Sequence, residues 1–390
     1  MFNFSSDMQS SPKYPSASLI RFAQALMEKA GLPPDRAEVV AETLVEADLM
    51  GHSTHGLELL PAYLKSLASG EMERSGDPLV LNDTGSTLTW DGRYLPGPWL
   101  VHQAIDQALD RIEQYPVVTA AIRCSHHIGC LAAYPERATK EGLLMLLSCS
   151  DPRNATVAPF GGVDGVYSPN PIAVGIPTGK EPIIIDISAS TTANGLVART
   201  QKEGGQLPHP WLMEKTGQLT TEPSAMFADP PATILPLGGL DAGYKGFALG
   251  LLVEALTSGL AGYGRADQPD KWGASVFLQL INPEAFGGKE GMMRQMDFLV
   301  NRSLESDSLP GGEPVRLPGS RALRLRDHQR KNGVQLYPTV EPALRRVGEH
   351  YGVDFPEGGE GEGKREREGG GERGREGEKK KKKKKKKNKD

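Results

Sequence analysis

Val117-Val118-Thr119-Ala120-Ala121-Ile122-Arg123, followed at once by Cys124-Ser125-His126-His127-Ile128-Gly129, is the stretch on which the fold turns. Seven residues rich in β-branched and small apolar side chains, stopped by Pro116 before and by a polar loop after, read as a buried strand. Three similar runs follow: Leu143 to Ser148, Ile172 to Ile176 and Pro182 to Ile187, with a fourth at Val276 to Ile281. Gly and Pro crowd the gaps, as in Pro159-Phe160-Gly161-Gly162 and Ser168-Pro169-Asn170-Pro171. Upstream the period changes. Ser16 to Ala30, Asp35 to Met50 and Val101 to Gln114 place apolar residues at helical spacing, and Gly31-Leu32-Pro33-Pro34 separates the first two helices. A long apolar helix is expected over Gly243 to Leu260. Pro310 to Gly319 reads as a loop, and Tyr337 to Tyr351 as a polar helical segment. These spacings predict an α+β chain: a disordered leader at 1–15, a helical domain at 16–118, a β-rich domain at 119–289 and a helical segment at 290–356 that packs with the first helices.

The chain has 390 residues, with 45 Lys+Arg against 49 Asp+Glu. That near-balance averages two different polymers. Residues 357–390 hold 15 basic and 9 acidic side chains, a net of +6, which leaves the body at 30 and 40, a net of -10. An acidic body without a basic stripe argues against a nucleic-acid partner. No run of about 18 apolar residues is present, so no membrane-spanning helix is expected. The first residues show neither a basic nor an apolar signal region, and three cysteines without CxxC argue against a disulfide framework. Together these point to the cytoplasm. Glu357 to Lys387 uses only Glu, Gly, Lys and Arg, the residues encoded by all-purine codons, and is expected to be disordered. It reads either as a basic arm or as translation through a purine-rich repeat.

No GxGxxG follows a strand and no GxxxxGK[ST] occurs, so the standard dinucleotide and nucleoside-triphosphate cradles are not indicated. No GxSxG elbow occurs. His52 and His55 stand at i, i+3 but lack HExxH and an evident third ligand, so no metal site is expected. What remains is a set of histidines, amides and small residues in loops. In order they are Gly51-His52-Ser53-Thr54-His55-Gly56, Ser125-His126-His127-Ile128-Gly129, Ser150-Asp151-Pro152, Asn170-Pro171, Asp186-Ile187-Ser188-Ala189-Ser190 and Gly243-Tyr244-Lys245-Gly246.

That order resembles the type-2 malate/L-lactate dehydrogenase family, which includes ureidoglycolate, sulfolactate and diketogulonate oxidoreductases. The family's Ser-His-Gly-Val-x-Arg-x-x-x-Tyr is matched by Thr54-His55-Gly56-Leu57-Glu58-Leu59 with Tyr63 in register. Its Ser-Asn-His-Phe-Gly, Thr-Asn-Pro, Asp-Met-Ala-Thr-Ser and Gly-His-Lys-Gly appear as Ser125 to Gly129, Pro169-Asn170-Pro171, Asp186 to Ser190 and Gly243 to Gly246. The resemblance covers about residues 16–356. It implies a homodimer with a largely antiparallel, non-Rossmann cofactor-binding sheet, using NAD or NADP on a small 2-hydroxy or 2-oxo acid. It implies His127 as acid/base, with Thr54, His55, Leu59, Tyr63 and Asn170 toward the substrate. Ser125, Ser150, Asp151, Pro159, Gly161, Asp186, Ile187, Ser188, Ser190, Lys245, Gly246, Pro318 and Gly319 would face the cofactor.

Leu59 is the main departure, since the family has an arginine there that would grip the substrate carboxylate bidentately. Three readings stay open: a less acidic or larger substrate, a replacement cation such as Lys65 or a residue of the partner subunit, or lost activity on a retained scaffold. The last is the alternative function, a binding protein, and Leu196 in place of the family's frequent lysine points the same way.

Overall fold

The computed structural model describes residues 12–359. Most of the expected leader and nearly all of the expected disordered tail lie outside these residues. The chain opens with β1 (Lys13–Tyr14), α1 (Ser16–Lys29), α2 (Pro34–Leu49) and α3 (Leu60–Ser69). Next come β2 (Leu79–Asp83), β3 (Thr87–Asp91), α4 (Gly97–Arg111), β4 (Val117–Ser125), the short α5 (Glu136–Thr139), β5 (Leu144–Ser150), β6 (Ile172–Ile176) and β7 (Ile183–Ile187). After α6 (Asn194–Lys202), the two-residue strands β8 (Leu212–Met213), β9 (Leu219–Thr220) and β10 (Thr233–Ile234) form a small sheet of their own. The remainder is α7 (Gly239–Glu254), β11 (Ala274–Ile281), α8 (Lys289–Leu304), α9 (Ser320–Asn332), β12 (Val334–Gln335) and α10 (Val340–Tyr351).

The seven-stranded main sheet runs β2-β3-β4-β11-β5-β6-β7, and every pairing in it except β3–β4 is antiparallel. This is a mixed helix-and-sheet fold with a mostly antiparallel sheet. Its middle strand, β11, is almost wholly buried, which is why Ala-Ser-Val-Phe-Leu-Gln-Leu-Ile reads as a near-continuous apolar run instead of an alternation. Helix α4 lays Leu100, Val101, Ala104, Ile105 and Ala108 on the sheet residues Val118, Ala120, Ile122, Val276 and Leu278. A second core joins α1, α2, α3 and α10, with Leu19, Leu26, Leu44, Tyr63 and Leu344 buried together.

Two expectations are corrected. The leader residues Lys13 and Tyr14 are ordered: they pair with Gln335 and Val334, and Tyr14 packs edge-on against Phe355. The segment expected as purely helical supplies β2 and β3 to the main sheet. β2 leaves no signal in the sequence because all five of its residues are exposed, so Leu79-Val80-Leu81 shows no inward-outward alternation. The boundary between helical and β-rich segments therefore falls well before residue 119, and β4 itself starts at Val117.

Candidate active site

β4 delivers the histidine pair. At its end Cys124 takes a left-handed conformation (φ 50°), and the Ser125 hydroxyl donates to the His126 carbonyl over 2.7 Å. The start of α4 presses on the same loop. A Cβ on Gly97 would stand 2.3 Å from the carbonyl oxygens of both His126 and His127, so only glycine allows the approach. Gly97→Ala is expected to cost about 1–3 kcal/mol through overpacking. Gly291→Ala, in open space on α8, is the control; chemical denaturation of the two variants checks the difference.

His127 stands at the centre of the site. Its Nδ1 lies 2.8 Å from the Tyr63 hydroxyl and accepts from Gly129 N–H over 3.2 Å. The Tyr63 hydroxyl also lies 3.1 Å from the His127 carbonyl, to which it can donate. The ring stacks on Trp272, with centroids 4.9 Å apart, and lies nearly parallel to His55 at 6.0 Å. Burial, with His55 and His126 nearby, holds its pKa well below the usual imidazole range. His126 is fully buried, neither of its ring nitrogens has a partner among the described residues, and burial drives its pKa down to about 3. It packs edge-on against Tyr63 and Trp272 and serves as an uncharged wall.

The loop after α2 brings in His55. Thr54 Oγ1 lies 2.9 Å from His55 Nδ1, and burial together with His52 and Arg199 lowers the His55 pKa to about 4. The loop is clamped from two directions. Asp48, inside α2, accepts from Leu57 N–H at 2.8 Å. Arg199, from α6, bonds Glu58 through Nε (2.9 Å) and Ser53 Oγ through Nη1 (2.9 Å), with its guanidinium 4.0 Å above the Tyr337 ring. Burial is the main cause that raises the Asp48 carboxyl to about 7, opposed by the Leu57 bond and Arg199.

His52, Thr54 and His55 open onto a cleft of about 1330 Å³, whose other walls include Asp186, Ile187, Leu196, Arg199, Pro318 and Gly319. Gly319 (φ 82°) allows the 317–319 loop to lie against β7, where Ile184 N–H donates to the Pro318 carbonyl at 3.4 Å. Asp186 accepts from Ala132 N–H at 2.9 Å, and burial raises its pKa against the pull of His52.

The remaining expected site residues are engaged elsewhere. Asn170 is fully buried in a left-handed turn (φ 47°), with its amide spent on Ser168, Gly250 and Glu254. Ser150 bonds Thr257 and Ser258, and Asp151 accepts from Arg153 and Asn154 in its own loop. Ser188 and Ser190 donate to nearby carbonyls, while Gly246 is buried. Pro159, Gly161 and Lys245 sit at the surface near exposed Phe160 and Tyr244, outside the cleft wall. Leu59 is partly buried and packs against the helical core, and Lys65 is exposed. Trp272 and Arg199 carry no signal in the sequence. Each is a single residue without a periodic or motif signal, and only folding brings it to the histidines.

His127, Tyr63 and Trp272 pack together, and His52 and His55 line the adjoining cleft, a candidate site for proton-transfer chemistry. The chain matches the family model described as malate/L-lactate dehydrogenase over residues 14–345, and it belongs to that family. It is an oxidoreductase acting on CH–OH groups. It is 33% identical over 332 residues to the (2R)-3-sulfolactate dehydrogenase (NADP(+)) of Chromohalobacter salexigens, covering 83% of this chain and 94% of that protein. It is 29% identical to an L-lactate dehydrogenase of Cupriavidus necator, covering 86% and 97%. A dehydrogenase structure from Sinorhizobium meliloti superposes with a TM-score of 0.76 at 30% identity, covering 87% of this chain and 99% of that one.

Proposed function

We propose that the protein transfers a hydride between NAD or NADP and a small 2-hydroxy/2-oxo acid, with His127 as the acid/base. The observation that carries this reading is the bond between His127 and Tyr63. When Nδ1 carries a proton it can donate it to the tyrosine oxygen, while the phenol donates to the His127 carbonyl. This arrangement serves both the imidazolium, which gives its Nε2 proton to the nascent alkoxide, and the neutral ring left behind, which takes the proton back in the oxidative direction. The Gly129 N–H contact favours the Nε2–H neutral form, a hydrogen-bond donor toward a carbonyl oxygen, so taking a proton back at Nε2 requires the Nδ1–H form, in which the Tyr63 oxygen replaces Gly129 N–H as the partner of Nδ1. Trp272 and His126 keep water from the ring.

The cleft fits a nicotinamide dinucleotide in size and lining. Its volume exceeds the roughly 300–1,000 Å³ of ordinary small-molecule pockets, and its walls mix apolar side chains with charges of both signs, Lys13, Arg199, Arg316 and Arg321 among them, as a molecule with both rings and phosphates requires. Asp186, Ile187, Pro318 and Gly319 would hold the group, which supplies or takes the hydride when bound. Ser150, Asp151, Pro159, Gly161, Lys245 and Gly246 lie outside that wall. They could touch cofactor only where a second copy of the chain brings them to its own cleft. Exposed Leu240, Tyr244, Leu251 and Leu252 on α7, beside Phe160, support a homodimer through this face. Three free cysteines, with no disulfide among the described residues, support a reducing cytoplasmic setting. No described helix is long and apolar enough to cross a membrane.

For the substrate, Leu59 removes the family's bidentate carboxylate grip. Arg199 is the cleft cation tied to the His55 loop, but Glu58 already neutralises it. With leucine in place of that arginine, an acid with an apolar or weakly charged substituent is expected as substrate sooner than a dicarboxylate. Turnover of a panel of 2-oxo acids, followed by nicotinamide absorbance, tests the function. Leu59→Arg is expected to raise kcat/KM for malate and lactate by about tenfold or more, the scale of one charge-assisted bidentate pair. An unchanged ratio would remove Leu59 from the specificity argument. The retained-scaffold alternative predicts cofactor binding without turnover on any member of the panel.

A further inference from the structure

We propose that His52, Cys130 and Asp186 form a binding site for a zinc-like divalent transition-metal ion on the wall of the cleft. The three side chains come from three different elements: the loop after α2, the turn after the histidine pair and the end of β7. Their ligand atoms nevertheless all lie within 4.8 Å of one another. The donor set is one imidazole nitrogen, one thiol sulfur and one carboxylate oxygen, the mixture that zinc accepts and that magnesium or calcium does not. Bond lengths of about 2.0–2.3 Å around a tetrahedral ion place its ligands roughly 3.5 Å apart, so the triad closes on an ion by a contraction of about 1 Å.

The surroundings favour such an ion. Asp186 is oriented by Ala132 N–H at 2.9 Å, with Cys130 Sγ 3.8 Å from the same oxygen. No hydrogen bond to the His52 ring occurs among the described residues, so that ring is not spoken for by another partner. His52 and Asp186 line the cleft while Cys130 lies buried behind them. Three protein ligands with the fourth position facing a cleft is the plan of an accessible zinc site, where water or a small anion completes the tetrahedron. On binding, the metal–sulfur bond replaces the S–H bond and the thiol proton leaves to solvent, so the ion gains a thiolate without any redox change. The sequence could not show this set. It pairs His52 with His55 at i, i+3, whereas the ligands that converge on His52 are 78 and 134 positions away.

The site shares Asp186 with the proposed cofactor wall, but its test is separate from the dehydrogenase reading, because it measures metal binding to the protein alone. The untagged, chelator-stripped full chain is titrated with Co²⁺ and with Zn²⁺. One equivalent should bind, Co²⁺ should develop a thiolate-to-metal charge-transfer band, and Zn²⁺ should displace it. Cys130→Ser should abolish the band. His52→Ala, which alters a partly exposed residue and not the core, should weaken Zn²⁺ by ~100-fold or more, beyond the 10–100-fold that loss of an outer partner costs. Circular dichroism confirms that each variant is folded. Absence of a thiolate band in the wild type would overturn the proposal. So would a one-equivalent site whose affinity is unchanged in folded His52→Ala.

Discussion

Replacing His127 with glutamine is expected to lower kcat/KM by about 10²–10⁴-fold, the range that proton transfer from a positioned side chain contributes. Glutamine keeps a hydrogen-bonding group near Tyr63 but cannot carry a proton between substrate and solvent. Cofactor affinity, followed by nicotinamide fluorescence, should change only a few-fold, because none of the cleft-wall residues is altered. Tyr63→Phe should cost less, about 3–10-fold, the worth of one neutral hydrogen bond. The pH profile gives an independent readout. His127 is held below the usual imidazole range by burial and by its neighbours His55 and His126. Oxidation of the hydroxy acid needs the neutral ring, so its kcat/KM should stay level through neutral and alkaline pH and fall only well below the pH at which a free imidazole titrates. A loss of less than about tenfold in His127→Gln would assign the proton transfer to another group.

The second large effect concerns stability. Asp48 is only 4% exposed, and its carboxyl is raised to about 7 in the folded protein. In the unfolded chain it titrates near 3.9. The folded state therefore binds the proton more tightly. The stability that the neutral carboxyl contributes is fully present below about pH 4 and is lost as pH rises through about 7. Three units of difference correspond to about 4 kcal/mol as an upper bound. Asp48→Asn cannot ionise, and its amide oxygen still accepts from Leu57 N–H. Wild type and variant should have similar urea midpoints near pH 4. By about pH 8 the variant should be more stable by up to ~4 kcal/mol. A pH-independent difference would mean that the carboxylate is paid for by Arg199 throughout the range.

Much of the scaffold was legible because its signals are local. The apolar spacing in Ser16 to Ala30 and Asp35 to Met50 appears as α1 and α2, and the apolar runs after Val117, Leu143, Ile172 and Pro182 appear as β4 to β7. Exposed β2 was not legible, since a strand with no buried face has no pattern to read. Nor were the two-residue strands β8 to β10, which are too short to show a period. In the site, the ordered motifs marked His55, His127 and Asp186, and the structure draws His55 toward the His127 ring and Asp186 into the cleft that His55 opens onto. The same reading could not tell Asn170, whose amide is consumed within the fold, from a residue facing a ligand. That distinction depends on which way a buried side chain points.

The sequence by itself determined most of the element types, the two histidine loops and the family, because period, turn chemistry and motif order are properties of neighbours along the chain. It also carried the Leu59 departure, since a missing guanidinium is missing in any fold. Only the tertiary structure decided what each polar group is spent on. Trp272 against His127, Arg199 across Ser53 and Glu58, and Cys130 beside His52 and Asp186 are contacts between distant segments. Their chemistry arises from burial and from distances of a few ångströms, which no local pattern encodes.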